Sequence, residues 1–163
     1  MRLSSGSKAV DPKTELTRYV VFQIGNDRYA CPLENVAEIS RIPAVTPVPR
    51  TDDFVVGVAN LRGNIVTILD LKPLLGIPED EDKPLSQYRM LIVAHDNLTA
   101  AIVVDRVEGV VTMAVSDLEP PLPGVPEQIR PWILGQFRHG DSLAGAIDPA
   151  IIAGLRELLE KPV

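Results

Sequence analysis

The sequence predicts a mainly β protein of two small packed β-barrels, with helix confined to short turns and a closing segment. Three observations carry that prediction. Apolar residues come in short runs rich in valine, isoleucine and leucine, punctuated by fifteen prolines and eleven glycines. Strand-like runs recur in pairs joined by a few turn residues. The stretch "FVVG" at 54–57 is echoed by "WILG" at 132–135, an offset of 78 that also pairs Asp70 with Asp148 and Gly76 with Gly154.

Residues 1–15 are polar and unpatterned and read as a flexible tail; residues 16–163 read as a single domain. Tyr19–Ile24 predicts a strand, "GND" a tight turn, and Arg28–Cys31 its hairpin partner. "LENVAEISRI" mixes a short turn with a third strand, because Val36, Ile39 and Ile42 are spaced too irregularly for a long helix. "PAVTPVP" is an extended, proline-stiffened connection. "FVVGVA" and "NIVTILDL" form a second hairpin, and "KPLLG" is one helical turn closed by Gly76. The acidic "IPEDEDKP" at 77–84 marks a boundary between a first barrel half at 16–80 and a second at 85–163. Beyond it "YRMLIVAHDNLTAAIVV" repeats strand, two polar residues, strand, and "PAIIAGLRELLE" has the spacing of a closing helix. Halves of about 70 residues are marginal alone. A common buried face is therefore expected, and it accounts for "IVTIL" being apolar on both sides of its strand.

A net charge of −6 argues against a nucleic-acid partner, whose phosphates need a basic face. No apolar run approaches the ~20 residues that span a bilayer. No basic-plus-apolar leader opens the sequence, so a cytoplasmic protein without direct membrane insertion is expected. The lone Cys31 reads as a buried hydrophobe. "SSGSK" in the tail lacks the glycine spacing of a phosphate loop.

Asp70 and Asp148, combined with His95 or His139, are the nearest approach to acid–base chemistry. Each aspartate ends a strand and precedes Pro73 or Pro149, the place of a residue that satisfies the free amides of a helical turn. Both histidines fall at predicted hairpin tips, in "HDN" and "HGD". No ligand set has metal-binding spacing, and no nucleophile elbow or phosphate loop is present. The expectation is a protein without catalytic residues, metal or cofactor. A small enzyme using Asp70 or Asp148 with a histidine is the rival reading.

The turn Asn60-Leu61-Arg62-Gly63-Asn64 is the remaining feature. Gly63 can take the positive φ of a tight turn, and Arg62 is then projected outward with its planar fork free for a carboxylate. The plain alternative is a solvated arginine pairing with Asp52 or Asp53.

"FVVGVANLRGNIVTILDLKPLLG" closely resembles the motif of the CheW family, the coupling proteins of bacterial chemotaxis. The resemblance extends through "YVVFQIGNDRYACPLENVAEISRIPAVTPVP" and covers roughly 18–160. It implies two packed five-stranded β-barrels and no catalysis. It also implies two partners: the cytoplasmic tip of a methyl-accepting chemoreceptor, and the regulatory domain of a CheA-type histidine kinase. Such a protein is cytoplasmic and recruited to membrane receptor arrays. The output is flagellar chemotaxis or, alternatively, twitching pili or another non-flagellar pathway. By the resemblance, Arg62 matches the arginine that couples receptor to kinase, and Glu38 an acidic position at a partner-binding surface. Val36 reads as the neighbour of Glu38 on the same strand face, while Asn60, Leu61 and Gly63 build the turn. "LAGAIDP" departs from the family, with Ala144, Gly145 and Ala146 where larger aliphatics are common. A CheW-like part of a larger protein carrying a receiver domain is a further rival, for which 163 residues leave no room.

Overall fold

The computed structural model describes residues 15–121 and 123–160, the last three as backbone alone. The predicted tail, Glu15 apart, and the "SSGSK" stretch lie outside the described residues. Strands β1 (Leu16–Ile24), β2 (Asp27–Pro32), β3 (Val36–Arg41), β4 (Val55–Leu61) and β5 (Asn64–Leu69) precede helix α1 (Lys72–Leu75). Strands β6 (Arg89–His95), β7 (Leu98–Val104), β8 (Arg106–Ala114), β9 (Ile133–His139) and β10 (Ser142–Ile147) precede helix α2 (Ile151–Glu160).

The strands form two five-stranded sheets. Sheet I runs β8-β1-β2-β10-β9 and sheet II runs β3-β6-β7-β5-β4. The sequence leaves the exchange of strands between the two halves open, and this strand order fills it in. Each sheet takes its opening hairpin from one half and three strands from the other. Local patterns show that two segments are alike, but not which copy of a hairpin joins which neighbour. The parallel contacts β2–β10 and β5–β7 decide that, and they are long-range.

The repeat itself holds in three dimensions. The Asp70 amide donates to the Phe54 carbonyl and the Asp148 amide to that of Trp132, each at 2.8 Å. Both carboxylates then accept the amide two residues on, Lys72 at 3.0 Å and Ala150 at 2.9 Å, satisfying donors at the start of each helical segment.

Each sheet curls so that the chain leaving one outer strand bridges to the other along a seam. Thr46, beyond β3, exchanges two backbone hydrogen bonds with Val58 of β4, at 2.8 and 2.9 Å. Glu119, beyond β8, does the same with Gln136 of β9, both at 2.8 Å. Gly57 and Gly135 make these approaches possible. A Cβ at Gly57 would run into the Thr46 carbonyl, and one at Gly135 would lie 2.7 Å from that of Glu119.

Three apolar layers follow among the described residues. The outer faces of the two sheets share one, where Val20, Phe22 and Ile24 of β1 meet Leu91, Val93 and Ile102 of β6 and β7 under α1 and α2. The curled interior of sheet II holds Ala59, Val66, Ile68, Met90 and Ile92. That of sheet I holds Tyr19, Val21, Phe137, Ala144 and Ala146. In "IVTIL", Val66 and Ile68 are buried in the sheet II interior and Leu69 in the shared layer, whereas Thr67 is half-buried and Ile65 is 68% exposed beside the turn. Cys31 lies in the shared layer. Burial, with the charge of Asp148 second, pushes its thiol up to about 12, so it stays a neutral hydrophobe.

Candidate functional site

The hairpin β4–β5 is closed by two residues, since Leu61 pairs with Asn64 across Arg62 and Gly63. Their φ values are 54° and 88°, the left-handed pair that a right-twisted two-residue hairpin requires. Glycine adopts this freely; an arginine there costs on the order of 1 kcal/mol. Asn60 holds the turn by accepting the Gly63 amide at 2.9 Å, and Leu61 packs down against the sheet II interior.

The guanidinium of Arg62 meets the carboxylate of Glu38 in a two-pronged pair, at 2.9 and 2.8 Å. Its partner is therefore neither Asp52 nor Asp53. Glu38 belongs to β3 and Arg62 directly follows β4, the two outer strands of sheet II, so the pair bridges the seam. The arginine side chain is 75% exposed and the glutamate 22%. An exposed pair of this kind contributes about 0–1 kcal/mol, so it aims the two groups more than it holds the fold. The structure thus joins two residues singled out separately in the sequence.

Val36 stands apart from them, which corrects its expected place. The β3 register slips between Val36, paired with Val93, and Glu38, paired with Ile92. Two residues of β3 span one step of β6, a bulge at Ala37. Val93 and Ile92 face opposite sides, so Val36 turns into the shared layer while Glu38 lies on the side of the sheet II interior.

The rival acid–base arrangement is not assembled. Among the described residues no hydrogen bond or ion pair joins either histidine to Asp70 or Asp148. The nearest acids are Asp96 to His95 at 3.6 Å and Glu108 to His139 at 3.7 Å. No group of three histidine, cysteine or acidic residues among them could hold a metal ion. Beside Asp70, the buried Lys72 donates to the Tyr88 hydroxyl at 2.7 Å. Lys83 lies 4.3 Å from the Tyr88 ring centre and pairs with Asp105 at 2.6 Å, so the acidic linker is pinned to the body. Hydrogen bonding to Asp70, then burial, pushes the Glu79 carboxyl up to about 7.

Comparison with known proteins follows this geometry. The CheW-like domain family matches residues 18–157. The chemotaxis protein CheW of Helicobacter pylori is 32% identical over 126 residues, 77% of this chain and 72% of that protein. Protein PilI of Pseudomonas aeruginosa is 32% identical over 139 residues, 85% of this chain and 76% of that one. The crystal structure of the scaffolding protein TtCheW from Thermoanaerobacter tengcongensis superposes with a TM-score of 0.71 at 27% identity, covering 82% of this chain and 90% of its own. No helix among the described residues is long and apolar enough to cross a membrane.

Proposed function

Because this chain belongs to the CheW-like domain family, we propose that it is a non-catalytic adaptor coupling a chemoreceptor tip to the regulatory domain of a CheA-type histidine kinase. Residues 16–163 act as one unit in the cytoplasm, recruited to membrane receptor arrays. The observation that carries the reading is the pair across the sheet II seam. Arg62 is mostly exposed, already oriented by Glu38, and mounted on a two-residue turn. A stiff mount loses little entropy on docking, which suits a contact residue. A non-flagellar output such as twitching pili is the second reading, favoured by the match to Protein PilI.

The test is a pair of measurements on Arg62→Ala and Glu38→Ala. Thermal unfolding should stay within about 0.5 kcal/mol of the parent, as for ordinary surface changes. Binding to a receptor-tip hairpin or to the kinase regulatory domain should weaken by about 2 kcal/mol, roughly thirtyfold. Parental binding by both variants would remove the pair from the contact surface, and a much lower melting point would make it a brace.

A further inference from the structure

The internal repeat sets two grooves at matching places, and the chain supplies a long helical wall to only one of them. In sheet II, where β5 runs parallel to β7, the groove is lined by Thr67, by residues 98–100 of β7, and by Ile152, Leu155 and Arg156 of α2. The offset of 78 carries Thr67 onto Gly145, which lies beside Tyr29 where β10 runs parallel to β2. Residues 27–29 of β2 there take the places of 98–100. The same offset carries Ile152 onto Leu74 of α1 and Leu155 onto Ile77 just beyond it. Yet α1 ends after Leu75, because Gly76 turns left-handed at φ 72° and Pro78 cannot extend a helix. By contrast, α2 runs through Gly154 to Glu160. The junction of β2 with β10 is therefore left as a groove of about 340 Å³, bounded by Leu75 and the proline loop at 121 and 123–126. Tyr29, Gly145 and Gln136 form a row across its floor, bare at the glycine. Among the described residues, no hydrogen bond or ion pair engages the Asp27 carboxylate or the Gln136 carboxamide beside it.

We infer that this groove docks a short amphipathic helix of another protein, built as α2 is: two aliphatic side chains three residues apart, followed at once by a lysine or arginine. The aliphatic pair would lie on the Gly145 floor as Ile152 and Leu155 lie along the sheet II groove. Residues three apart share one face of a helix, so a single helix can place both. The basic residue follows from the repeat as well. Arg156 lines the sheet II groove together with Leu98, and the place of Leu98 is taken in sheet I by Asp27. A basic side chain there meets a carboxylate that the fold leaves unpaired, on a chain of net charge −6 that favours a basic partner. Nothing in this inference depends on the Arg62–Glu38 pair or on the adaptor reading.

The test uses a peptide of residues 149–161, "PAIIAGLRELLEK", titrated into the full chain and followed by backbone amide shifts and by dichroism. A peptide this short is mostly unfolded alone, so it should gain helix on binding. Saturable shifts should gather on residues 27–29 and 143–145. Asp27→Lys should bind about fivefold more weakly at low salt, with a smaller loss at high salt and a parental melting point. An Arg156→Glu peptide should lose affinity for the parent and regain it on the Asp27→Lys chain. Gly145→Ala, whose new Cβ would stand 3.3 Å from the Tyr29 ring, should weaken binding by raising the floor. No binding by the parent, or shifts confined to β5 and β7, overturns the groove. Binding without a gain of helix overturns the helical occupant. Equal affinity of parent and Asp27→Lys, with no recovery in the charge swap, overturns the basic residue. Self-association of the parent through the same amides makes the occupant a second copy and overturns a foreign partner.

Discussion

In the interior of sheet II, Ala59 stands opposite Val66 and Gly57 opposite Ile68. At the corresponding places in sheet I, Phe137 stands opposite Ala144 and Gly135 opposite Ala146. All six side chains other than the glycines are buried. One interior therefore fills its layer with two aliphatics on the inner strand. The other fills it with a single ring on the outer strand, 6.3 Å from that of Tyr19. Alongside, Tyr29 lies over Gly145, where an added Cβ would sit 3.3 Å from the ring. The small residues of "LAGAIDP" are thus matched by aromatic side chains around them. Volume is conserved across the layer, not position by position, as close packing requires.

The largest effect should come from breaking the ring side. Phe137→Ala leaves alanines facing a cavity that nothing nearby can fill, and a loss of about 3–5 kcal/mol is expected in denaturant unfolding. A loss below about 1 kcal/mol would mean that the ring does not fill sheet I.

Overpacking the other side should cost somewhat less. Ala59→Phe, set against Val66 and Ile68, is expected to cost about 1–3 kcal/mol. Adding Val66→Ala should recover part of it, because the pair then imitates Phe137 with Ala144. Strict additivity of the two substitutions would defeat the comparison.

The seams offer a matched pair. Gly57→Ala and Gly135→Ala should each destabilise, Gly57 more, because its approach to Thr46 is closer than that of Gly135 to Glu119. Both should lower the unfolding midpoint, and Gly135→Ala, which lies away from the proposed Arg62–Glu38 contact, should spare partner binding.

The smallest effect is a contrast in pH response. On sheet I, a hydrogen bond from Arg28 holds the Glu108 carboxyl below its usual range, with Arg106 adding to it. A lowered folded value means that its contribution is present above the ordinary carboxyl value of 4.5 and fades as pH falls through the folded one. Beside sheet II, Glu79 is raised from 4.5 to about 7, so its contribution has the opposite sign. It is complete below about 4.5 and fades as pH climbs towards about 7. Arg28→Gln should flatten the acid limb of a stability–pH curve, and Glu79→Gln the limb approaching neutrality. An unchanged curve in either variant would sever that link.

Much of this architecture is local and can be read along the chain. The two-residue turn at Arg62, the capping aspartates, the Gly76 helix end and the 78-residue echo depend on a handful of neighbours each. Their backbone demands leave marks in residue type: glycine where φ is positive, aspartate where an amide needs an acceptor, proline where a donor is dispensable. Other features depend on partners far away in sequence. Glu38 lies 24 residues before Arg62, and only the curl of sheet II brings β3 to β4. The bulge at Ala37 sends Val36 and Glu38 to opposite faces, and a matching slip at Glu108 in β8 breaks the alternation that would mark that strand.

The sequence by itself determined two similar β units, their turns and caps, and the exposed arginine. Tertiary structure alone decided which hairpin joined which sheet, which carboxylate received Arg62, and how alanine and glycine could line a filled interior. Strand pairing and packing density are set between segments distant along the chain. A strand carries no record of its partner beyond which of its faces is apolar.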